Sequence, residues 1–272
     1  MVTADDFGRD LAVNEAVEDA FRDGILTCAS LMVGAPAAAD AVARARRLGL
    51  PVGLHLVLVD GEPLSPPGAV PALVGRDGRF LDDEVRAGIR FFLRPGARRQ
   101  LAAEIRAQFA AFRATGLALD HVNGHKHVQL HPTVGRLVVE IGREFGMRAL
   151  RLPDEPAATL RLAFPGENHR EPAYRFAVNA LRRRVRRAGL SANDHVFGLA
   201  WSGAMVEERM LGLLPHLPEG VSEIYAHPAT VAGGVPGYRH AEELAALVSP
   251  AVRDRVGELG ISLLNFGGLA KD

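Results

Sequence analysis

The chain has 272 residues, 48% of them apolar and 24% charged, enough for one large core or two small ones. Its 32 basic and 32 acidic residues cancel, so no global field draws nucleic acid and any anionic partner has to be met by a local patch. The single cysteine, Cys28, excludes an intrachain disulfide, and neither a leader pattern nor an apolar run of about eighteen residues occurs, so a soluble, cytoplasmic protein is expected.

In chain order, short apolar runs ending in polar residues or glycine alternate with segments of helical period. Met1–Thr3 reads as a first strand running into T-A-D-D-F-G (residues 3–8), followed by a helix over Leu11–Asp23. Asp5 and Asp6 cannot both face one side of a regular strand, and Gly8 permits a sharp turn that helps bring them to one place. Leu26–Val33 reads as a strand that buries Cys28, Ala37–Arg47 as a helix, and Val52–Val57 as a strand carrying His55 in the run V-G-L-H-L-V-L-V. An unpartnered imidazole there costs about 1–3 kcal/mol, so His55 is either satisfied by a carbonyl or functional. Asp60–Phe80, with Pro63, Pro66, Pro67 and Pro71, cannot hold a long helix or central strand and is expected as a lid or wall.

A helix over Arg99–Ala114 precedes a strand over Leu119–Asn123. That strand leads into D-H-V-N-G-H-K-H-V-Q-L-H-P (residues 120–132), where His121, His125, His127 and His131 make up four of the ten histidines. Their alternation points to a metal or acid/base site, with the polar face of an amphipathic strand as the alternative. Thr133–Phe145 reads as a helix and Ala149–Leu152 as a strand with Arg151. The irregular stretch Pro153–Pro172 follows with Glu155, then a helix over Tyr174–Arg187. That helix ends in six residues, R-R-R-V-R-R (Arg182–Arg187), a solvated face or a contact for an anionic lipid surface. Strands over His195–Ala200 and Glu223–Ala226, the latter running into His227, a helix over Ala241–Leu259 and a strand over Ile261–Asn265 complete the chain.

Seven or eight strand–helix repeats predict an α/β fold, a TIM-like (β/α) barrel of seven or eight strands with distortion allowed, as one domain over residues 1–272. So little chain precedes Asp5 that the barrel begins with a very short strand or upstream of Met1. In such a barrel the site lies at the C-terminal strand ends, which here carry Asp5, Asp6, His55, Asn123, His125, His127, Arg151, Glu155 and His227. One carboxylate with two imidazoles makes a divalent-metal site with positions left open.

Together, T-A-D-D-F-G at 3–8, G-L-H-L at 53–56, H-V-N-G-H-K-H at 121–127 and A-H-P at 226–228 resemble the YdjC-like, or ChbG-type, carbohydrate deacetylases over nearly the whole chain. The flanking D-G-I-L-T-C-A-S-L-M-V-G and G-L-H-L-V-L-V-D-G are most similar to the branch associated with hopanoid biosynthesis. The resemblance implies a hydrolase that removes the acetyl group from an N-acetylated amino sugar with one divalent metal ion, magnesium or zinc. It implies Asp6, His55 and His125 as metal ligands, Asp5 as catalytic base and His227 as acid. Asn123, His127, Arg151 and Glu155 then bind substrate or support the site. Two positions depart from the family pattern: Asn123 replaces an acidic residue, and Gln129 ends the family's run of alternating histidines, which leaves the part played by His127 open.

The substrate implied is the N-acetylglucosaminyl headgroup of a hopanoid lipid, with peripheral contact at the inner membrane, or a soluble N-acetyl-chito-oligosaccharide. No nucleic-acid partner is expected, and a homodimer is left open. Two further readings of the same residues are a non-haem iron oxygenase and a non-catalytic sugar or lipid-headgroup binding protein with a degenerate site.

Overall fold

Six parallel strands, β1 (Val2–Phe7), β2 (Cys28–Leu31), β3 (Val52–Leu56), β4 (Leu119–Gly124), β5 (His195–Phe197) and β6 (Ser222–Ala226), form one sheet in the order β4-β3-β2-β1-β6-β5. The computed structural model describes residues 1–94, 96–231 and 235–269. Every residue of β1, β2 and β3 is buried, as parallel strands covered on both faces require. The covering helices are α1 (Leu11–Asp23), α2 (Ala38–Leu48), α3 (Glu84–Leu93), α4 (Ala97–Ala114), α5 (Pro132–Glu144), α6 (Ala157–Ala163), α7 (Arg175–Arg187), α8 (Glu207–Leu213), α9 (His240–Val248) and α10 (Pro250–Glu258). In α1, Asp10 caps the first turn by accepting from Val13 N, and Val13, Ala16, Val17 and Ala20 form the stripe it buries. The helix expected over Ala241–Leu259 divides at Ser249, which caps α10, with Pro250 in its first turn.

The expected TIM-like barrel of seven or eight strands does not form. Among the described residues the sheet has six strands and two edges, β4 and β5. Ala149–Leu152 makes only isolated bridges, to Val122 on one side and Ser191 on the other. Arg151 N donates to Val122 O at the β4 edge, and Val196 N of β5 donates to Asp154 O. The sheet is therefore a curled half-barrel, sharply enough curved that one irregular segment touches both edges. Pro153 and Pro156 supply no N–H for a longer ladder, which keeps that segment from becoming a strand. Ile261–Asn265 follows Gly260 at φ 63, is only partly buried, and pairs with no strand among the described residues.

The start of the proline-rich stretch after β3 is tied to α4, and of the stretch only Asp60 lines the cleft described below. Glu104 of α4, fully buried, accepts from Leu64 N and Ser65 N at 2.9 Å each, and Gln108 bonds both backbone groups of Val57. Two helical side chains thus replace the ladder partners that this stretch lacks.

Candidate metal centre

The adjacent aspartates reach one cleft because β1 breaks its own regularity. Its register against β2 shifts between Ala4 and Phe7, and Asp6 takes a left-handed conformation at φ 63. A non-glycine residue held this way costs about 1–3 kcal/mol and persists only where its surroundings enforce it. The turn expected at Gly8 forms, closed by Arg9 N donating to Asp6 O at 3.0 Å, and Asp6 adds a left-handed residue before it. Gly8, at φ 93, also allows the close approach of Leu31 and Ala38.

Asp6 Oδ1 lies 3.2 Å from His55 Nε2 and 3.2 Å from His125 Nδ1, and the two nitrogens are 3.3 Å apart. This oxygen is buried and accepts no hydrogen bond among the described residues. The tautomer of His55 follows from its neighbours. Arg151 pins the Asp5 carboxylate as an acceptor, so Asn123 donates to it through Nδ2 at 3.0 Å and turns its own carbonyl oxygen to His55 Nδ1 at 2.7 Å. That nitrogen must donate, which leaves an electron pair on Nε2 facing Asp6 and His125.

Three such atoms converging this closely are held together by a proton or by a cation among them. Ligands about 2.0–2.1 Å from a zinc or magnesium ion stand roughly 3.0–3.4 Å from one another, and the triangle falls in that range. The electrostatics agree. Burial disfavours the Asp6 carboxylate, yet His125 and His55 hold it well below the ordinary range. Burial also disfavours a charged His125, but Asp6 and Asp60 raise it to about 9, so in the metal-free site a proton on His125 meets the Asp6 carboxylate, and a divalent cation would take that proton's place. The donor set therefore fits a divalent cation.

Asp5 stands beside this triangle in a different setting. Arg151 grips it with Nη1 on Oδ2 at 2.6 Å and Nη2 on Oδ1 at 3.0 Å, while Ser30 and Asn123 both reach Oδ1 at 3.0 Å. Oδ1 is saturated, and Oδ2 meets only Arg151 among the described residues. Burial opposes ionisation here too, but Arg151 holds the Asp5 carboxyl well below its usual range. The same guanidinium binds Glu223 at 2.6 and 2.9 Å and lies over the Tyr225 ring, so Arg151 is a fully buried bridge between two carboxylates.

Of the residues expected at the strand ends, Asp5, Asp6, His55, His125, His127 and His227 line a common cleft of about 320 Å³. Arg151, Asn123 and Glu155 lie behind it. Glu155 accepts from the N–H groups of Gly198, Leu199 and Ala200 at 2.8–3.0 Å, fixing the loop that brings Leu199 and Ser202 to the cleft. His127 sits 3.2 Å from Tyr225 Oη, and burial together with Arg151 lowers its pKa to about 3, so it is neutral. Lys126 and His127 are both left-handed, at φ 50 and 54. That tight turn requires Gly124, where a Cβ would lie 2.5 Å from Gln129 Oε1. His227 is fixed through its backbone N–H to Glu243 at 2.7 Å, and its Nδ1 is buried with no partner among the described residues. His131 precedes α5 as expected and lies outside the cleft.

Sequence reasoning missed Arg9, Asp60, Tyr174, Tyr225 and Tyr238, which also line the cleft. Tyr225 had a signal, since residues two apart on a strand share a face and His227 follows it by two.

A sequence profile of the family described as YdjC-like protein matches residues 1–258. The chain is 30% identical over 274 residues to a carbohydrate deacetylase of Geobacillus stearothermophilus, covering 98% of this chain and 96% of that one. It is 32% identical over 289 residues to a carbohydrate deacetylase of Mus musculus, covering 97% and 92%. A crystal structure of a protein from Enterococcus faecalis V583 superposes with a TM-score of 0.80 at 23% identity, covering 100% of this chain and 98% of that one, a likeness of fold alone.

Proposed function

The chain belongs to the YdjC-like family, and from that premise we propose that it is a metal-dependent hydrolase that removes the acetyl group from an N-acetylated amino sugar. The observation that carries this reading is the triangle of Asp6 Oδ1, His55 Nε2 and His125 Nδ1, drawn together in the interior at 3.2–3.3 Å. The carbohydrate deacetylases among the relatives support a sugar substrate. Asp6, His55 and His125 would hold one divalent ion, zinc or magnesium, which when bound would supply Lewis acidity for the acetyl carbonyl and for water. Asp5 takes the proton of the attacking water through Oδ2, whose one partner among the described residues is Arg151. Arg151 aims this carboxylate without touching substrate. His227, across the cleft, gives a proton to the sugar nitrogen as the C–N bond breaks. His127, kept neutral, and Tyr225 form a polar pair in the same cleft for substrate hydroxyls.

A lipid-linked amino sugar, such as the headgroup of a hopanoid, is favoured by the rim. Glu84 lines the cleft, and the helix it begins leaves Val85, Ile89, Phe92 and Leu93 between 52% and 74% exposed. Tyr174 also lines the cleft, with Phe176 exposed two residues on. Among the described residues no helix is long and apolar enough to cross a membrane, so contact with a bilayer would be peripheral. Arg182, in the arginine run, is engaged by Asp154 at 2.6 Å, whereas Arg183, Arg186 and Arg187 are exposed.

Acetate release from N-acetyl-chito-oligosaccharide and from N-acetylglucosaminyl hopanoid, each with and without chelator, tests the reading. Chelator-sensitive release is expected, faster on the lipid-linked sugar. Equal or faster release from the soluble oligosaccharide would remove the lipid-linked form, and release from neither would remove the deacetylase.

A further inference from the structure

His121 plays no part in the chemistry above, yet the fold builds a slot for it. Gly53 of β3 must be glycine, because a Cβ there would lie 2.6 Å from three atoms of the imidazole, and Phe266 stacks on the ring at 4.4 Å. His121 Nδ1 is 2.9 Å from Asp120 Oδ2, and the other oxygen of Asp120 accepts from Gly267 N at 2.8 Å. On its far side His121 Nε2 is 3.1 Å from Ser30 Oγ. Ser30 in turn lies 3.0 Å from Asp5 Oδ1 and accepts from Asn123 Nδ2 at 2.8 Å. Ser30 and His121 are both fully buried, and His121 does not line the cleft.

We propose that His121 is a positioning residue for the reaction: braced by Asp120, it anchors the Ser30 hydroxyl, whose oxygen accepts from Asn123 and so fixes the amide that orients Asp5 and His55. This rests on the reading of Asp5 as base. Ser30 has one proton and two acceptors within reach, Asp5 Oδ1 and His121 Nε2. The bond to Asp120 turns the Nε2 electron pair towards the hydroxyl and fixes its direction. Asn123 then spans Ser30, Asp5 and His55, so one chain of contacts orients both the base and a metal ligand. Cys28, Asp120 and His121 also have spacing suited to a cation. Asp120 and His121 satisfy one another, however, and the Cys28 thiol, 3.3 Å from Thr3 Oγ1, is pushed up to about 12 by burial, so this cluster is a hydrogen-bonded brace.

The test is a double-mutant cycle on the full chain, with His121→Phe, Ser30→Ala and the pair assayed for kcat and KM of acetate release and for bound metal. Each single variant is expected to lose tenfold or more in kcat, with KM and metal content within about twofold of the parent. The pair is expected to be no slower than Ser30→Ala alone, because His121 acts only through Ser30. An unchanged kcat in His121→Phe, or losses that multiply in the pair, would overturn the proposal. Asp120→Asn preserves the shape of the brace and replaces His121→Phe in the cycle should that variant not fold. Asp5→Asn separates the two readings: an active Asp5→Asn enzyme removes the base and the brace together, whereas an inactive one beside a fully active His121→Phe removes the brace alone.

Discussion

Arg151 gives the clearest energetic consequence of a single side chain. It is the shared partner of Asp5 and Glu223 in the interior, and removing it leaves two buried carboxylates without their cation. Breaking such a pair costs about 3–5 kcal/mol, so Arg151→Met should unfold at markedly lower urea concentration than the parent and lose turnover. An unchanged midpoint would show that the charges are relieved by other means. Cys28 makes a milder prediction. With its thiol buried and raised to about 12, it should resist thiol reagents at pH 8 in the folded protein and react promptly in denaturant. The residue types at the site were legible because carboxylate and imidazole at strand ends have few other reasons to be there. Two things were not. The left-handed conformation at Asp6 has no mark in the sequence, since aspartate tolerates it better than most residues yet adopts it at few of its positions. Arg151 could orient a carboxylate, hold substrate or pair at the surface, and only its complete burial decides for the first.

At the scale of elements, alternating strand and helix patterns located β1 to β6 and most of the helices, because each buries a stripe or face of fixed period. Their number was misjudged at Ala149–Leu152 and Ile261–Asn265. Both are apolar enough for a strand, but pairing depends on neighbours that a local pattern does not contain. The stretch after β3 was legible as irregular, not as rigid. Its rigidity comes from Glu104 and Gln108, remote in sequence. Glu104→Ala should leave Leu64 N and Ser65 N without acceptors, speed proteolysis of residues 61–66 and raise KM. Cleavage at the parent rate would mean that the stretch is held elsewhere. Gly124→Ala should damage the turn that presents His125 and His127, lowering both metal content and stability.

Across the whole molecule, the ligands come from β1, β3 and the turn after β4, so the bound ion would tie together segments far apart in the chain. Anything that binds only the folded state stabilises it, by about 2.7 kcal/mol at a hundred times its Kd. Adding zinc or magnesium to the stripped protein should therefore raise its Tm, and Asp6→Ala should abolish that rise. The most direct measurement takes metal content and acetate release on the same preparations of the parent, Asp6→Ala and Asp5→Asn proteins. The expected result is one divalent ion and turnover in the parent, neither in Asp6→Ala, and the ion without turnover in Asp5→Asn. Full acetate release from metal-free Asp6→Ala protein would contradict the assignment of the Asp6–His55–His125 triangle as the catalytic metal site.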